Sequence, residues 1–197
     1  MIYNKNNLNV AKIVSKNKMR IEISGVLFTK DKTVATDSFR LIEISTPKGL
    51  NYNDFPFSKG EGIVSKGFEP FIADASDLKK IVIPKKGSLP ILHTTVIGSV
   101  RSEAVNFTTS DIESTDNVIV RKIKGEYPKY EEIIPTGKPL VTFTVNAEYL
   151  IGVLEVLGKL ERGHKVEMKF YGETKPMVLE AGNEEIQKGR AVIMGIN

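Results

Sequence analysis

The sequence predicts an α+β fold built from about three repeated units, each a helix followed by antiparallel strands. Segments whose apolar residues have helical spacing begin near positions 8, 74 and 146. After each of them come about three runs in which apolar and polar residues alternate, as in half-buried strands. Each round spans on the order of fifty to sixty residues, and repetition at this period is typical of stacked copies of one structural unit.

The first unit begins with helical spacing at residues 8–17. Alternation over residues 19–29 predicts a strand, which Gly25 bends. The stretch TVATDSFRLIEIS, residues 33–45, then predicts a strand, a tight turn and a second strand, because the Asp and Ser side chains at its centre can hydrogen-bond their own backbone. Residues 46–70 are rich in Gly, Pro and Asn, and they predict a long connection.

The other two units have the same order of elements. Asp74 or Ser76 caps a short helix, and three strand-like runs follow within residues 91–127. Residues 140–145, LVTFTV, predict a strand before the clearest helix of the chain, which Asn146 caps. The apolar stripe of that helix is formed by Leu150, Val153, Leu154 and Leu157. The closing strand-like runs lie at 165–172, 176–182 and 190–196.

Composition indicates a globular protein of the cytoplasm. Hydrophobic residues make up 41% of the chain and charged residues 26%, proportions that exclude disordered and collagen-like structure. The chain has no cysteine, which excludes disulfide bonds and thiolate chemistry and fits a reducing compartment. We find neither an apolar signal segment at the N-terminus nor a run of ~20 apolar residues. We therefore expect a soluble cytoplasmic protein without a membrane partner.

Basic residues are clustered, although the net charge is only +4. The first acid-free cluster consists of Lys5, Lys12, Lys16, Lys18 and Arg20. The second consists of Lys79, Lys80, Lys85 and Lys86. Such clusters suit a surface that faces phosphates, and they also suit the solvated side of a helix. The charge pattern alone leaves both interpretations open.

Three motifs follow one another along the chain. They are TVATDSFRLIEIS at 33–45, GEYPKYEEIIP at 125–135, and a C-terminal pair of segments at 143–158 and 175–196. The first resembles the strand–turn–strand of the bacterial DNA polymerase III β subunit, the sliding clamp, where the turn reads Thr-Asp-Gly-His-Arg-Leu. The second resembles the clamp's Gly-x-Phe-Pro-x-Tyr linker between its second and third domains, and the third resembles its last helix and closing strands. The resemblance covers most of the chain and indicates a shortened clamp-like member.

This resemblance implies a DNA-clamp-like fold, with helices on the face that surrounds duplex DNA and a sheet on the other face. Lysines on the helices would then contact phosphates without reading bases, as a sliding protein requires. The candidates for this DNA-binding face are Lys12, Lys16, Lys79 and Lys80. The third helix departs from the pattern, since Glu148 and Glu155 lie on its polar side.

The resemblance also implies a hydrophobic cleft that binds short peptides of the polymerase and of other partners. By position in the motifs, its residues are Phe39, Leu41, Pro128, Ile133, Val192 and Met194. Short peptides gain most of their affinity from a few apolar anchors in a preformed pocket. Without the resemblance, the same six residues fit the ordinary core of strands.

The chain departs from the clamp pattern in its motifs and in its length. Ser38 and Phe39 stand where the clamp has Gly-His, and residues 194–197 replace Met-Pro-Met-Arg, so the preferred peptide is open. We count three helix-plus-strands units, whereas a clamp chain has six and a two-chain ring has twelve. We predict a clamp-like domain at 1–127, resembling the clamp's middle domain, and a half domain at 128–197, resembling half of its last domain. A partner chain must complete the odd unit, or no ring forms.

The alternatives are an enzyme, another nucleic-acid-binding module, and a clamp-derived module that binds replication peptides without encircling DNA. His93 and His164 do not have metal-ligand spacing, and no phosphate-binding loop or nucleophile elbow is present. We therefore predict no catalytic residue, metal or cofactor. The prediction is a processivity factor of DNA replication or repair and an accessory of the polymerase. Its predicted partners are double-stranded DNA, DNA polymerase and other clamp-binding peptides, a clamp loader, and further copies of the chain in a homo-oligomer.

Overall fold

The structure of the protein is a computed structural model that describes residues 1–17, 19–56, 68–84, 89–160, 162–172 and 174–196, with the side chain of Ser99 excepted. Lys18, Lys85 and Lys86 of the basic clusters and residues 57–67 of the long connection lie outside the described residues. The chain divides into two compact units, Met1–Glu132 and Ile133–Asn197. The first compact unit contains two of the predicted helix-plus-strands repeats and the second contains one, and from here on first unit and second unit mean these compact units. The assignment of either unit to a particular clamp domain stays a prediction.

In its described part, the first unit is one antiparallel sheet of eight strands with two short α-helices. In chain order the elements are β1 Ile2–Asn4, α1 Lys5–Asn9, β2 Gly25–Phe28, β3 Lys32–Thr36, β4 Leu41–Ser45, β5 Phe71–Asp74, α2 Ala75–Leu78, β6 Thr94–Val100, β7 Ala104–Ser110 and β8 Thr115–Ile123. Short 3-10 helices occupy Val10–Lys12, Ile21–Ser24, Tyr52–Asp54, Pro90–His93 and Tyr130–Ile133.

This sheet consists of two halves with the same order of elements, β1-α1-β2-β3-β4 and β5-α2-β6-β7-β8. The strands lie in the order β1-β6-β7-β8-β5-β2-β3-β4. The leading strand of each half therefore pairs with the first strand after the helix of the other half, β5 with β2 and β1 with β6. In both pairings the residue that caps the helix, Asp74 or Asn4, lies opposite the first residue of the partner strand, Gly25 or Thr94.

The helices cover one face of the sheet. Leu8 and Val10 of the first half and Leu78 of the second pack with sheet residues in a buried cluster. Phe28 and Phe71 lie at its centre with their rings stacked at 5.3 Å. Complete burial of such side chains stabilises the fold by roughly 1.5–3 kcal/mol each. Val34 on β3 and Ile72 on β5 alternate with residues of this cluster along their strands, so they point to the opposite face. There they form a second buried cluster with Ile23, Tyr127 and Tyr130.

The second unit pairs one helix with a three-stranded antiparallel sheet in its described part. Its elements are α3 Ala147–Leu157, β9 Glu167–Lys169, β10 Met177–Asn183 and β11 Gln187–Ile193, with strand order β11-β10-β9. Asn146 caps α3 by accepting a hydrogen bond from the Glu148 N–H at 2.8 Å, as predicted. The predicted apolar stripe of α3 packs against Met177, Leu179 and Ile193, which confirms the helix and its buried face.

Three predicted elements are wrong in detail. The first helix is α1, which begins at Lys5, and the 3-10 helix after it ends at Lys12 rather than at residue 17. Residues 21–24 form a 3-10 helix instead of a strand, and the strand starts only at Gly25. Gly25 is required there because a Cβ would lie 2.6 Å from the carbonyl oxygen of Ala73 on β5. Residues 140–145 form no strand, since their backbone joins no sheet ladder in the described part of the unit.

Candidate functional site

The turn between β3 and β4 is held by its own side chains. Asp37 Oδ1 accepts hydrogen bonds from the backbone N–H groups of Phe39 and Arg40, both at 3.0 Å. The Arg40 guanidinium, 2.9 Å from Asp37 Oδ2, lowers the pKa of this carboxyl below its ordinary value. Ser38 has a φ of 80°, in the left-handed region that favours glycine. This explains why the clamp motif has glycine here, and in this chain Arg20 donates a 2.6 Å hydrogen bond to the Ser38 hydroxyl.

The two predicted cleft residues of the turn have different surroundings. Phe39 lies at the tip with 96% of its surface exposed. Leu41 begins β4 and packs, half-buried, against a buried cluster. The buried members of this cluster are Ile23, Val34, Ile72, Tyr127 and Tyr130. Leu41 therefore has a fixed position, whereas Phe39 faces solvent.

The linker motif packs on the same face of the sheet as Leu41. The rings of Tyr127 and Tyr130 are buried and meet edge-to-face at 6.2 Å. Burial raises the pKa of Tyr127, whose hydroxyl donates to the Val34 carbonyl at 3.5 Å. Pro128, which lies between these two tyrosines in sequence, is half-buried, and its carbonyl accepts a 2.8 Å hydrogen bond from the Tyr130 N–H. The structure thus brings Leu41 together with both tyrosines that flank Pro128.

The other cleft residues are exposed. Ile133 ends the 3-10 helix that starts at Tyr130 and has 68% of its surface exposed. Val192 on β11 and Met194 just after it are 58% and 65% exposed. Met194 lines a surface pocket with Phe143, Thr144, Lys175 and Gly195, among others. A common cleft formed by all six predicted residues stays a prediction.

A groove of the first unit runs between its two helical segments. Lys5, Lys12 and Lys79 line it, and its apolar lining includes the buried Leu8 and the exposed Val82. No carboxylate in the described part of the chain forms an ion pair with these three lysines. We name this surface the basic groove. It contains two of the four predicted DNA-binding residues.

The remaining predicted lysines differ from those of the basic groove. Lys16 is exposed beyond the end of the first helical segment, so it is not carried by a helix. The Lys80 ammonium lies 2.6 Å from Asp77 Oδ1, which offsets its charge. Asp77 is buried and also accepts a 2.7 Å hydrogen bond from Arg121 Nε, and this arginine above all lowers its pKa. Lys5 belongs to the first predicted basic cluster but was not among the predicted DNA-binding residues, although the reciprocal cap between Asn4 and Asn7 is a signal that the helix starts there.

The solvent side of α3 is apolar and acidic rather than basic. Tyr149 and Val156 are exposed there, with Glu148 and Glu155 beside them. This agrees with the predicted departure of the third helix from a phosphate-facing surface. Within the described residues, no three His, Cys, Asp or Glu side chains are grouped so that they could hold a metal ion. None of the described helices has the length and hydropathy needed to cross a membrane.

The fold defines the class of protein to which this chain is similar. No protein-family model matches the sequence, and no curated protein sequence gives a significant match. Solved structures of sliding clamps do match: that of Bacillus subtilis has a TM-score of 0.71 at 16% identity, over 99% of this chain and 48% of the clamp chain. For the Pseudomonas aeruginosa clamp these values are 0.69, 14%, 98% and 50%.

A third match is the DNA polymerase III β chain of Streptococcus pneumoniae TIGR4, with a TM-score of 0.66 and 18% identity over 100% of this chain and 49% of that one. The chain therefore has the sliding-clamp fold, and both the α+β class and the resemblance to the clamps are confirmed. It spans about half the length of the clamp chains that it matches.

Proposed function

We propose that the protein is a sliding-clamp-like processivity factor of DNA replication or repair. It binds duplex DNA without sequence preference and binds peptides of a polymerase and other partners on apolar surface residues. The clamp fold over the whole length of the chain is the observation that carries this proposal. The protein acts in the cytoplasm as a non-catalytic accessory and is placed on DNA by a clamp loader.

The basic groove supports the DNA-binding part of the proposal. Its lysines are free of ion pairs with described carboxylates, so their charges are available to phosphates. Ammonium groups on flexible stems contact phosphates without fixing a base register, which suits a protein that slides. Lys80 contributes less, because Asp77 already offsets its charge.

The salt dependence of duplex binding tests this surface. Replacing Lys5, Lys12 and Lys79 with alanine should flatten the slope of log K against log salt by roughly one unit for each lost phosphate contact. The matched control replaces Lys30, Lys48 and Lys129, three exposed lysines that do not line the groove, and should leave more of the slope intact. Equal slopes for the two triple variants would show that the groove is not the DNA-binding face.

The apolar residues of the turn, the linker and β11 support the peptide-binding part. Ile133, Val192 and Met194 expose most of their surface, and single large apolar side chains of this kind act as peptide contacts when they are grouped. Methionine adapts to partners of different shape. Leu41 and the two buried tyrosines supply a rigid wall beside Pro128.

A short peptide with a Leu or Phe anchor should bind with micromolar affinity, about −8 kcal/mol. The Met194→Ala variant should weaken this binding by ~1–3 kcal/mol. Met19→Ala is the matched control, since Met19 is also an exposed methionine but belongs to no predicted cleft position. Fluorescence anisotropy of a labelled peptide measures the difference, and equal affinities would remove Met194 from the site.

A non-ring module that binds replication peptides is the second candidate function, and the surface of α3 favours it. In a ring, every helix facing DNA is close to phosphates, yet α3 exposes Glu148 and Glu155 beside apolar residues. Such a module would bind peptides and would not remain topologically linked to circular DNA.

A further inference from the structure

The first unit consists of two halves with the same order of elements, and the second unit corresponds to one such half. In each half of the first unit, a leading strand precedes the helix and three strands follow it. The second unit has the same order: residues 140–145, then α3, then β9, β10 and β11. We call residues 140–145 the leading segment, because they occupy the position of β1 and β5.

The leading segment already makes one of the two contacts that β5 makes. On one edge, β5 contacts the last strand of its own half, with Ile72 opposite Ile123, two residues before the helix cap Asp74. Two residues before the cap Asn146, the Thr144 carbonyl accepts a 2.9 Å hydrogen bond from the N–H of Ile196, just after β11. The other edge of β5 pairs with β2 of the opposite half. The corresponding edge of the leading segment has no strand partner in the described part of the unit.

The strand β9 has the second unpaired edge of the second unit. In the first unit, the strand after each helix, β2 or β6, pairs with the leading strand of the other half. Its counterpart β9 ends the three-stranded sheet and pairs only with β10 in the described residues. An exposed edge of this kind is a template for strand addition. The second unit therefore has two unpaired edges, that of the leading segment and that of β9, and the corresponding strands of the first unit pair with each other.

We propose that a second copy of this chain completes the second unit, with the leading segment of each copy pairing antiparallel to β9 of the other across a two-fold axis. A self-complementary pair of edges is what a two-fold interface requires. The first unit fixes the register, because each helix cap lies opposite the first residue of the partner strand. Asn146 is then opposite Glu167 of the partner copy, Val145 opposite its Met168, and Phe143 opposite its Phe170.

The side chains fit this register. Three residues before the cap of the second half, Phe71 lies opposite Phe28, and their rings stack at 5.3 Å. Phe143 and Phe170 hold the equivalent positions in the second unit. Their rings meet edge-to-face at 6.0 Å within one copy, where Phe143 packs on the core, so both rings lie on the face that the pairing would extend. The faces also agree, since Val145 packs on the core of the unit and Met168 lies opposite the buried Leu179, so both point to the core face.

The charges of the two edges are compatible with pairing. The leading segment has no charged residue. On β9, the Lys169 ammonium lies 2.7 Å from Glu180 and 3.1 Å from Glu167, so both charged residues of the strand already have partners within their own copy. Pairing of the edges leaves no charge of this strand without a partner, which favours a second copy as the occupant.

Sedimentation equilibrium of the full chain tests the assembly, and it needs neither DNA nor peptide, so its failure is separate from failure of the proposed function. We expect a dimer at micromolar concentration. Phe170→Ala should weaken it by about tenfold or more, whereas Tyr171→Ala, a change in the neighbouring exposed aromatic residue, should not. A monomeric wild-type chain would overturn the proposal.

Disulfide trapping locates the interface and covers the case in which Phe170→Ala does not fold. The chain has no cysteine, so single substitutions report one position each. A mixture of Val145→Cys and Met168→Cys copies should form a disulfide-linked heterodimer on oxidation. A mixture of Val145→Cys and Ile186→Cys, with the second cysteine at the exposed β10–β11 turn, should not. A dimer without the first cross-link, or with both equally, would place the interface elsewhere and refute the proposal.

Discussion

Replacement of Asn7 tests how the first helix is fixed to the sheet. The Asn7 side chain is fully buried, and its amide nitrogen lies 3.0 Å from the Ile44 carbonyl oxygen and 3.1 Å from that of Ser45. It also lies 3.2 Å from the hydroxyl of Thr33, while Asn7 Oδ1 accepts a 3.0 Å hydrogen bond from the Asn4 N–H. One side chain thus connects α1 with β3 and with the end of β4.

Asn7→Ala should lower the free energy of unfolding by about 2–4 kcal/mol. The substitution leaves carbonyl groups of β4 and the Asn4 N–H without this partner, and each lost net hydrogen bond costs about 1 kcal/mol. The small cavity left in a buried position adds to that cost. Because α1 positions Lys5, the same variant should also weaken duplex binding in proportion to the loss of folded protein.

Urea unfolding followed by circular dichroism measures the change, and hydrogen exchange assigns it to α1. Asn6→Ala is the matched control, since Asn6 is the neighbouring asparagine and its side chain is exposed. We expect that control to stay within about 0.5 kcal/mol of the wild type. If the Asn7→Ala variant were as stable as Asn6→Ala, the buried amide would not hold the helix in place.

Two further predictions concern the turn and the second sheet. Ser38→Gly should be more stable than Ser38→Ala by about 1 kcal/mol in urea unfolding, because only glycine adopts a φ of 80° without strain. Both variants lose the hydrogen bond from Arg20, so this loss does not contribute to the difference. A more stable alanine variant would contradict the prediction. Lys169 and then Arg190 lower the pKa of Glu180 from 4.5 to about 2, so its contribution to stability is complete above pH 4.5 and is lost as the pH falls toward 2. The stability difference between the wild type and Glu180→Gln should therefore shrink over that pH range, and a constant difference would count against the ion pairs.

The sequence predicts best where a local pattern and burial agree. The third helix has an asparagine cap and an apolar stripe at helical spacing, and both are found in the structure. The strands β7 and β10 follow equally clear patterns. The order of the three helix-plus-strands repeats also follows from local periodicity.

Elements whose structure depends on distant partners were predicted less well. Ile21 and Ile23 would lie on the same face of a strand. Ile21 is instead 57% exposed and Ile23 only 1%, because the backbone there is a 3-10 helix that leads into Gly25. The leading segment has a strand-like sequence but no neighbouring strand to pair with in the described residues. The ion pair of Lys80 with Asp77 was missed although its i,i+3 spacing is a local signal. The hydrogen bond of Arg121 to Asp77, 44 residues apart in sequence, depends on the fold.

Retention on circular DNA is the most direct test of a clamp-like role. The chain is assembled on nicked circular duplex at high protein concentration, where four copies, or two of the proposed dimers, supply the twelve helix-plus-strands repeats of a ring. The complex is then passed through gel filtration in high salt, which screens the contacts of the basic groove. We expect the protein to stay with the intact circle and to be released when a restriction enzyme linearises the DNA. Equal loss from circular and linear DNA, together with normal peptide binding, would contradict a ring that encircles DNA and would favour the non-ring module.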